Sequence, residues 1–180
     1  MSEFGPAITV VLKHEGGYVD NPNDPGGATN WGISLRFLQN QPDGGLEVGD
    51  VDEDGDVDAD DIRKMTRSDA VYIYRIHWWE KYQYRSFIDQ EIANKVLDLS
   101  VNMGARQAHR LAQRAARACH RNLVEDGLLG PKSFSALNSL DPRVFLASLR
   151  SEQAGFYRLL AATRPKLKTF LKGWLRRAYT

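Results

Sequence analysis

Apolar residues recur along this chain mainly at helical spacing. Ile8, Val11 and Leu12 form a short amphipathic stripe over Ala7–Glu15, and Gly16-Gly17 ends it. Residues 16–33 are rich in Asn, Asp, Pro and Gly and read as loop, and Leu35–Gln39 opens a second helix. The stretch 42–61 is Gly- and Asp-rich and reads as an insertion. A longer helix starts at Ser68-Asp69-Ala70 and runs through Val71, Tyr72, Tyr74, Ile76, Trp78 and Trp79. Ile92–Met103, with apolar side chains on most sides, predicts a largely buried helix, and Arg106–Asn122 continues as a helix with an arginine face. Asp126–Pro131 is a turn, and helices follow at about 132–139, 142–162 and 164–178. Alternating strand patterns are few, so the fold class is mainly α.

Length and composition fit one ordinary domain, or a compact domain with a small appended module, and 42% apolar residues suffice for a real core. No apolar run approaches the length of a membrane-spanning helix. The first residues lack a basic segment followed by a long apolar core and a small-residue cleavage site, so no Sec signal peptide is expected. Cys119 stands alone in a helical pattern and reads as a buried structural thiol.

The net charge of +1 conceals a strong polarity. Residues 1–62 carry 14 acidic and 2 basic side chains, whereas residues 63–180 carry 9 acidic and 22 basic ones. A cation held by the first part and a polyanion met by the second are the expected consequences, the polyanion being nucleic acid or an anionic wall polymer. No aromatic–basic readout module supports nucleic acid. His14, His77, His109 and His120 show no zinc-ligand spacing, which disfavours a metallopeptidase or amidase.

The densest chemistry lies in His14–Ser34, HEGGYVDNPNDPGGATNWGIS. Glu15 precedes two glycines that break the helix, which pushes its carboxylate to the rim of a cleft that the turn-rich segment can face. A half-covered carboxyl in such a place suits general acid catalysis on a glycosidic bond. Asp24 follows by nine residues and Thr29 by five more. A second carboxylate can stay ionised to orient water or stabilise charge on the sugar, and the Thr hydroxyl can help place that water. Asp20 competes with Asp24 for this role, and Asp24 also suits an Asx turn. Pro22 and Pro25 stiffen the loop.

Glu15-Gly16-Gly17-Tyr18, Asp24-Pro25-Gly26-Gly27, Thr29-Asn30 and Gly32-Ile33 together resemble the hallmark of glycoside hydrolase family 108. The Glu-to-Asp-to-Thr order is also similar to that of phage-type lysozymes, where the Asp–Thr gap is one residue longer. The resemblance implies a lysozyme-like α-helical fold and an endolysin-type N-acetylmuramidase that cuts the β-1,4 bond between N-acetylmuramic acid and N-acetylglucosamine without a cofactor for the chemistry. It implies Glu15 as proton donor, Asp24 and Thr29 as partners, and Tyr18, Asn30, Trp31 and Asn102 as substrate contacts. Asn102 falls in Leu97–Gly104, which is similar to a downstream family motif. Asp126-Gly127…Gly130-Pro131-Lys132-Ser133 resembles a peptidoglycan-binding module that follows the muramidase region in that family, though the same residues make a good interhelical turn anywhere. A family-style division gives 1–94 as catalytic region and 95–180 as a helical peptidoglycan-binding region packed on it. The expected partner is peptidoglycan and the expected state a monomer, held in the host cytoplasm before release to the wall.

The acidic insertion fits the twelve-residue calcium-loop template. Asp50, Asp52, Asp54, Asp56 and Asp61 fall at places 1, 3, 5, 7 and 12, with Gly55 at 6 and Val57 at 8. Asp61 replaces the usual final Glu, as in dockerin-type loops, which the segment also resembles. Eight acids in twelve residues repel one another strongly without a cation. Pro42-Asp43-Gly44-Gly45 speaks against a helix ahead of the loop, so half an EF-hand is expected, with Ca2+ structural or regulatory and ordering the wall of the cleft opposite Glu15. The C-terminal stretch carries Arg164, Lys166, Lys168, Lys172, Arg176 and Arg177 around an apolar stripe of Leu167, Phe170, Leu171, Trp174 and Leu175. It can pack on the domain or lie on an anionic outer-membrane surface. A non-catalytic calcium-dependent wall-binding protein, with Glu15 silent, is the competing class, and the family resemblance equally allows a bacterial wall-remodelling muramidase for secretion.

Overall fold

The computed structural model describes residues 1–20 and 27–180. The chain divides into two compact units, Glu3–Gln83 and Tyr84–Thr180, the second joined by Met1–Ser2. The division expected near residue 95 falls inside a helix of the second unit.

In the first unit α1 spans Phe4–Leu12 and buries Ala7, Ile8 and Val11. It stops three residues before Glu15, not on it: Lys13 and His14 form a closing turn, and Glu15 already belongs to irregular chain. A small hairpin follows, β1 (Thr29–Asn30) against β2 (Ile33–Ser34), with Thr29 opposite Ser34 and Asn30 opposite Ile33. Val19 adds a third rung by exchanging two 2.8 Å backbone hydrogen bonds with Thr29. Strands this short carry no readable alternation, which is why the segment reads as loop from sequence.

Helix α2 (Leu35–Gln39) starts where the Ser34 hydroxyl accepts the Phe37 N–H at 3.2 Å. A single turn, α3 (Leu46–Gly49), precedes the acidic loop, so a rudimentary helix stands where none was expected. Helix α4 (Ala59–Lys64) is capped by Asp58 with Asp61 reaching back, and α5 (Arg67–Tyr74) by Thr66 with Asp69, both reciprocal capping boxes. Helix α5 runs on into a π-helical turn, Arg75–Glu80, which gathers an aromatic group: Phe37 stacks on Trp78 at 4.6 Å and Phe4 leans on Trp79 at 5.6 Å. The core of this unit is Ile33, Leu38, Ile62, Ile73 and Tyr74, all at most 1% exposed.

The elements of the second unit are all helical among the described residues: a 3-10 turn Tyr84–Ser86, α6 (Gln90–Met103), α7 (Ala105–Ala118), α8 (Pro131–Asn138), α9 (Pro142–Thr163), a 3-10 segment Pro165–Phe170 and α10 (Leu171–Tyr179). Helix α7 packs on α6 and α9, and α9 on α10. Its buried face is mostly alanine (Ala105, Ala108, Ala112, Ala115, Ala116) with Leu111, and small side chains let the neighbouring helices approach closely. The arginine-faced helix ends at Ala118, four residues earlier than its pattern suggests, and Cys119 caps it half-buried, not fully enclosed.

Two polar devices hold this unit. Tyr84 meets Ser100 at 2.6 Å and His109 Nε2 at 2.7 Å, while His109 Nδ1 lies 3.0 Å from the Gly127 carbonyl. Burial pushes the His109 pKa down, so the ring is held neutral. Asp98, 3% exposed at its side chain, pairs with Arg177 at 2.8 Å, and Lys95 donates to the Arg177 and Ala178 carbonyls at 2.9 and 3.0 Å. These bonds close the C-terminal end of α10, where the last carbonyls otherwise lack partners. The stretch expected as one helix over 164–178 is thus a 3-10 turn followed by α10. Its apolar stripe lies against the body of the unit, with Leu171, Trp174 and Leu175 packed on Ala154 and Tyr157.

Candidate active site

The tip of the β1–β2 hairpin organises the candidate site. Trp31 (φ 51°) and Gly32 (φ 79°) are both left-handed, the pattern of a tight two-residue hairpin turn. A tryptophan in that region costs roughly 1–2 kcal/mol, and two long-range bonds hold it there. Its indole N–H donates to the Met65 carbonyl at 3.3 Å, and its own carbonyl accepts the Tyr74 hydroxyl at 3.0 Å.

Glu15 comes to this tip from the irregular chain beyond α1. A methyl group placed on Gly32 would lie 2.5 Å from Glu15 Oε2, 2.8 Å from its Cδ and 2.5 Å from the Tyr74 hydroxyl. Glu15 and Tyr74 therefore rest against one and the same Cα, and only glycine leaves room for both. Tyr74 is fully buried and Glu15 half-buried, so the carboxyl stands at the edge of the core with one side toward solvent. A half-covered carboxyl held by backbone and an aromatic ring can present a proton to a ligand at that edge.

The other expected site residues divide. Tyr18 is exposed, its hydroxyl 3.5 Å from Asp20, with the Arg63 guanidinium 5.6 Å from its ring centroid. Thr29 sits in β1, and its hydroxyl makes a local 3.4 Å contact with the Gly27 carbonyl. Asn30 is 6% exposed, and its amide donates to the Ile62 and Met65 carbonyls at 3.0 and 3.2 Å, which ties the hairpin to the end of α4. Glu15, Tyr18, Thr29, Asn30 and Trp31 thus gather around one hairpin. Asp24 lies outside the described residues. Asn102 belongs to α6 in the second unit, where its side-chain oxygen accepts the Tyr157 hydroxyl.

Sequence reasoning missed Tyr74 and the place of Gly32 as the seat of Glu15. Tyr74 looks like one more core aromatic on its helix, and no local signal marks its reach back to Trp31, 43 positions away.

The acidic loop folds around its own carboxylates. Asp50 accepts the Asp54 and Gly55 N–H groups, both at 3.1 Å. Asp61, 1% exposed, accepts those of Val51 at 2.6 Å, Asp52 at 3.3 Å and Asp58 at 2.8 Å. Val57 is buried, and its carbonyl accepts from Gln39 at 2.8 Å. Carboxylate oxygens of Asp50, Asp52 and Asp54, and likewise those of Asp56, Asp58 and Asp61, lie within 4.8 Å of one another, so each group can hold a metal ion. The donors are all oxygen, which selects a hard cation. Asp54 beside it, helped by burial and by Asp58, raises the Asp56 pKa, as expected of crowded like charges. Lys64 supplies an internal cation to Asp52 at 2.6 Å, while the other Asp52 oxygen is buried and has no hydrogen-bond partner among the described residues.

In the second unit the Asp126–Pro131 turn is gripped by Gln113. Its amide donates to Asp126 at 2.8 Å and to the Leu128 carbonyl at 3.0 Å, and its oxygen accepts the Gly127 N–H at 2.8 Å. The polar groups of that motif thus serve the turn itself.

Residues 8–104 match the family model described as glycosyl hydrolase 108. The chain belongs to glycosyl hydrolase family 108. Residues 107–179 match the model described as a predicted peptidoglycan domain. Among solved structures the chain is similar to SagA of Brucella abortus, with a TM-score of 0.74 and 27% identity, over 98% of this chain and 89% of that one. No curated protein matches. As a member of family 108 the chain is a glycoside hydrolase, and peptidoglycan is the polymer that its second half points to.

Proposed function

We propose that this chain is an N-acetylmuramidase that hydrolyses the β-1,4 bond between N-acetylmuramic acid and N-acetylglucosamine, with Glu15 as proton donor. The observation that carries the assignment is the seating of the Glu15 carboxyl on Gly32 beside the buried Tyr74 hydroxyl. A proton donor has to be held in place and partly shielded, and this seat does both. The leaving sugar oxygen takes the proton from Glu15 as the glycosidic bond breaks, and a water completes the hydrolysis. Asp24 is the proposed second carboxylate and Thr29 the proposed hydroxyl that orients the water. Tyr18 offers an exposed ring to a sugar face.

The test is digestion of purified sacculi by wild type and Glu15→Gln, with mass analysis of the products after borohydride reduction. Wild type should release fragments ending in reduced N-acetylmuramic acid. The variant should be slower by roughly 10²–10⁴-fold, the usual contribution of a general acid. Fragments ending in reduced N-acetylglucosamine, or a variant within tenfold of wild type, would overturn the assignment.

We further propose that the loop 50–61 takes Ca2+. The hard oxygen donors, the left-handed Glu53 and Gly55 and the buried Val57 all follow the calcium-loop template. The ion would neutralise the crowded aspartates and fix the start of α4, whose Ile62 and Met65 carbonyls receive Asn30. Calcium would in this way stiffen the hairpin on which Glu15 rests, without taking part in bond cleavage.

A further inference from the structure

A cavity of about 350 Å³ opens in the second unit between the end of α9 and the start of α10. Arg158, Ala161, Ala162, Pro165, Lys168 and Leu171 line it. Its walls are small and apolar, with two cations at hand from different elements: Arg158 from α9 and Lys168 from the 3-10 segment. Among the described residues neither cation pairs with a carboxylate, whereas Arg114, Arg117 and Arg177 of the same unit each do. Seven basic residues come after Glu152 in the sequence, and among the described residues Arg177 is the one of them paired with a carboxylate, that of Asp98. The lining thus combines methyl-sized apolar contacts with uncompensated positive charge, which suits a small ligand carrying a carboxylate.

Peptidoglycan carries such groups on its peptide stems and not along the glycan backbone. We infer that this cavity binds the carboxylate end of a peptidoglycan stem peptide, with Arg158 and Lys168 on the carboxylate and Ala161, Ala162 and Leu171 against the alanine methyl groups. The inference rests on the reading of the chain as a peptidoglycan hydrolase, and it gives the enzyme a hold on the wall separate from the bond it cuts.

The test uses the full chain, Nα-acetyl-L-Lys-D-Ala-D-Ala and the C-terminal amide of the same peptide, followed by NMR titration. The acid should bind and shift the signals of Ala161, Ala162 and Leu171, and the amide should bind about tenfold more weakly, since it lacks the charge. Arg158→Gln and Lys168→Gln should each weaken the acid several-fold, while Lys166→Gln, outside the cavity lining, should not. Equal binding of acid and amide, no binding of either, or an undiminished Arg158→Gln/Lys168→Gln double variant would overturn the assignment. So would recruitment to anionic phospholipid vesicles that depends on these two residues while the peptide has no effect, since the occupant would then be a membrane. Glu15→Gln separates this inference from the muramidase reading. It should lose hydrolysis and keep the peptide. Intact cleavage without peptide binding refutes the cavity alone, and peptide binding with cleavage unaffected by Glu15→Gln refutes the muramidase assignment alone.

Discussion

Replacing Gly32 with alanine should damage catalysis as well as folding. The added methyl would stand 2.5 Å from Glu15 Oε2 and from the Tyr74 hydroxyl, about 1 Å inside ordinary contact distance. Backbone strain at φ 79° adds roughly 1–2 kcal/mol, and overpacking typically adds about 1–3 kcal/mol more. Tyr74 is fully buried and bonded to Trp31, whereas Glu15 has a solvent side, so Glu15 is the group that yields. A displacement near 1 Å in a catalytic group can lower the rate about 10²-fold.

Gly27→Ala is the matched control. Its φ of 71° brings the same backbone strain, but its methyl would meet only Leu35 at 3.7 Å, an ordinary contact. Urea midpoints measure the stability of both variants, and sacculus hydrolysis at a temperature where each stays folded measures activity. Gly27→Ala should lose stability and little activity, while Gly32→Ala should lose about 10²-fold in rate. Adding Tyr74→Phe to Gly32→Ala removes one of the two clashing oxygens and should recover part of the stability. If Gly32→Ala hydrolyses within threefold of wild type, Glu15 is not the group seated against that Cα during catalysis, and the reasoning fails.

Two further outcomes concern the loop and the C-terminal latch. Millimolar Ca2+ should raise the melting temperature, by about 2.7 kcal/mol of added stability at a hundredfold excess over Kd, and Asp54→Asn/Asp56→Asn should abolish the gain; equal melting of wild type in calcium and in chelator would exclude a structural calcium site. Burial pulls the Lys95 pKa from its ordinary 10.5 to about 8; between these values the unfolded chain binds the extra proton, so stability should rise with pH across that window and the cost of the buried charge should return below pH 8. Lys95→Met should flatten this limb in urea titrations at successive pH values, and parallel pH profiles for the two proteins would refute it.

The helices were legible because their causes are local. Asp89 caps α6, Asp141 caps α9 and Thr66-Asp69 boxes α5, and each signal sits within three residues of the element it starts. The acidic loop was legible for the same reason, since its carboxylates bond backbone N–H groups at most ten positions away. The boundary of α1 was not. The Gly16-Gly17 break looks like the stop signal, but the helix ends at Leu12 and leaves Glu15 in irregular chain that the hairpin then seats.

What remained hidden around Glu15 shares one physical feature. Asn30 reaches Ile62 and Met65 over 32 and 35 positions, Trp31 reaches Met65 over 34, and Tyr74 reaches Trp31 over 43. None of these residues has an unusual neighbour in sequence, and each makes sense only once the chain has returned on itself. Even Gly32, which the family motif marks, gives no local reason for being glycine beyond the turn; the reason that matters is the pair of oxygens brought against it from either side. Glu15 could therefore be proposed as the acid from its motif, whereas its seat depends on contacts from α4 and α5. For this reason the site should respond to substitutions at Asn30, which ties the hairpin to the end of α4, and at Tyr74, which bonds its tip, through the position of Glu15 and not through its identity.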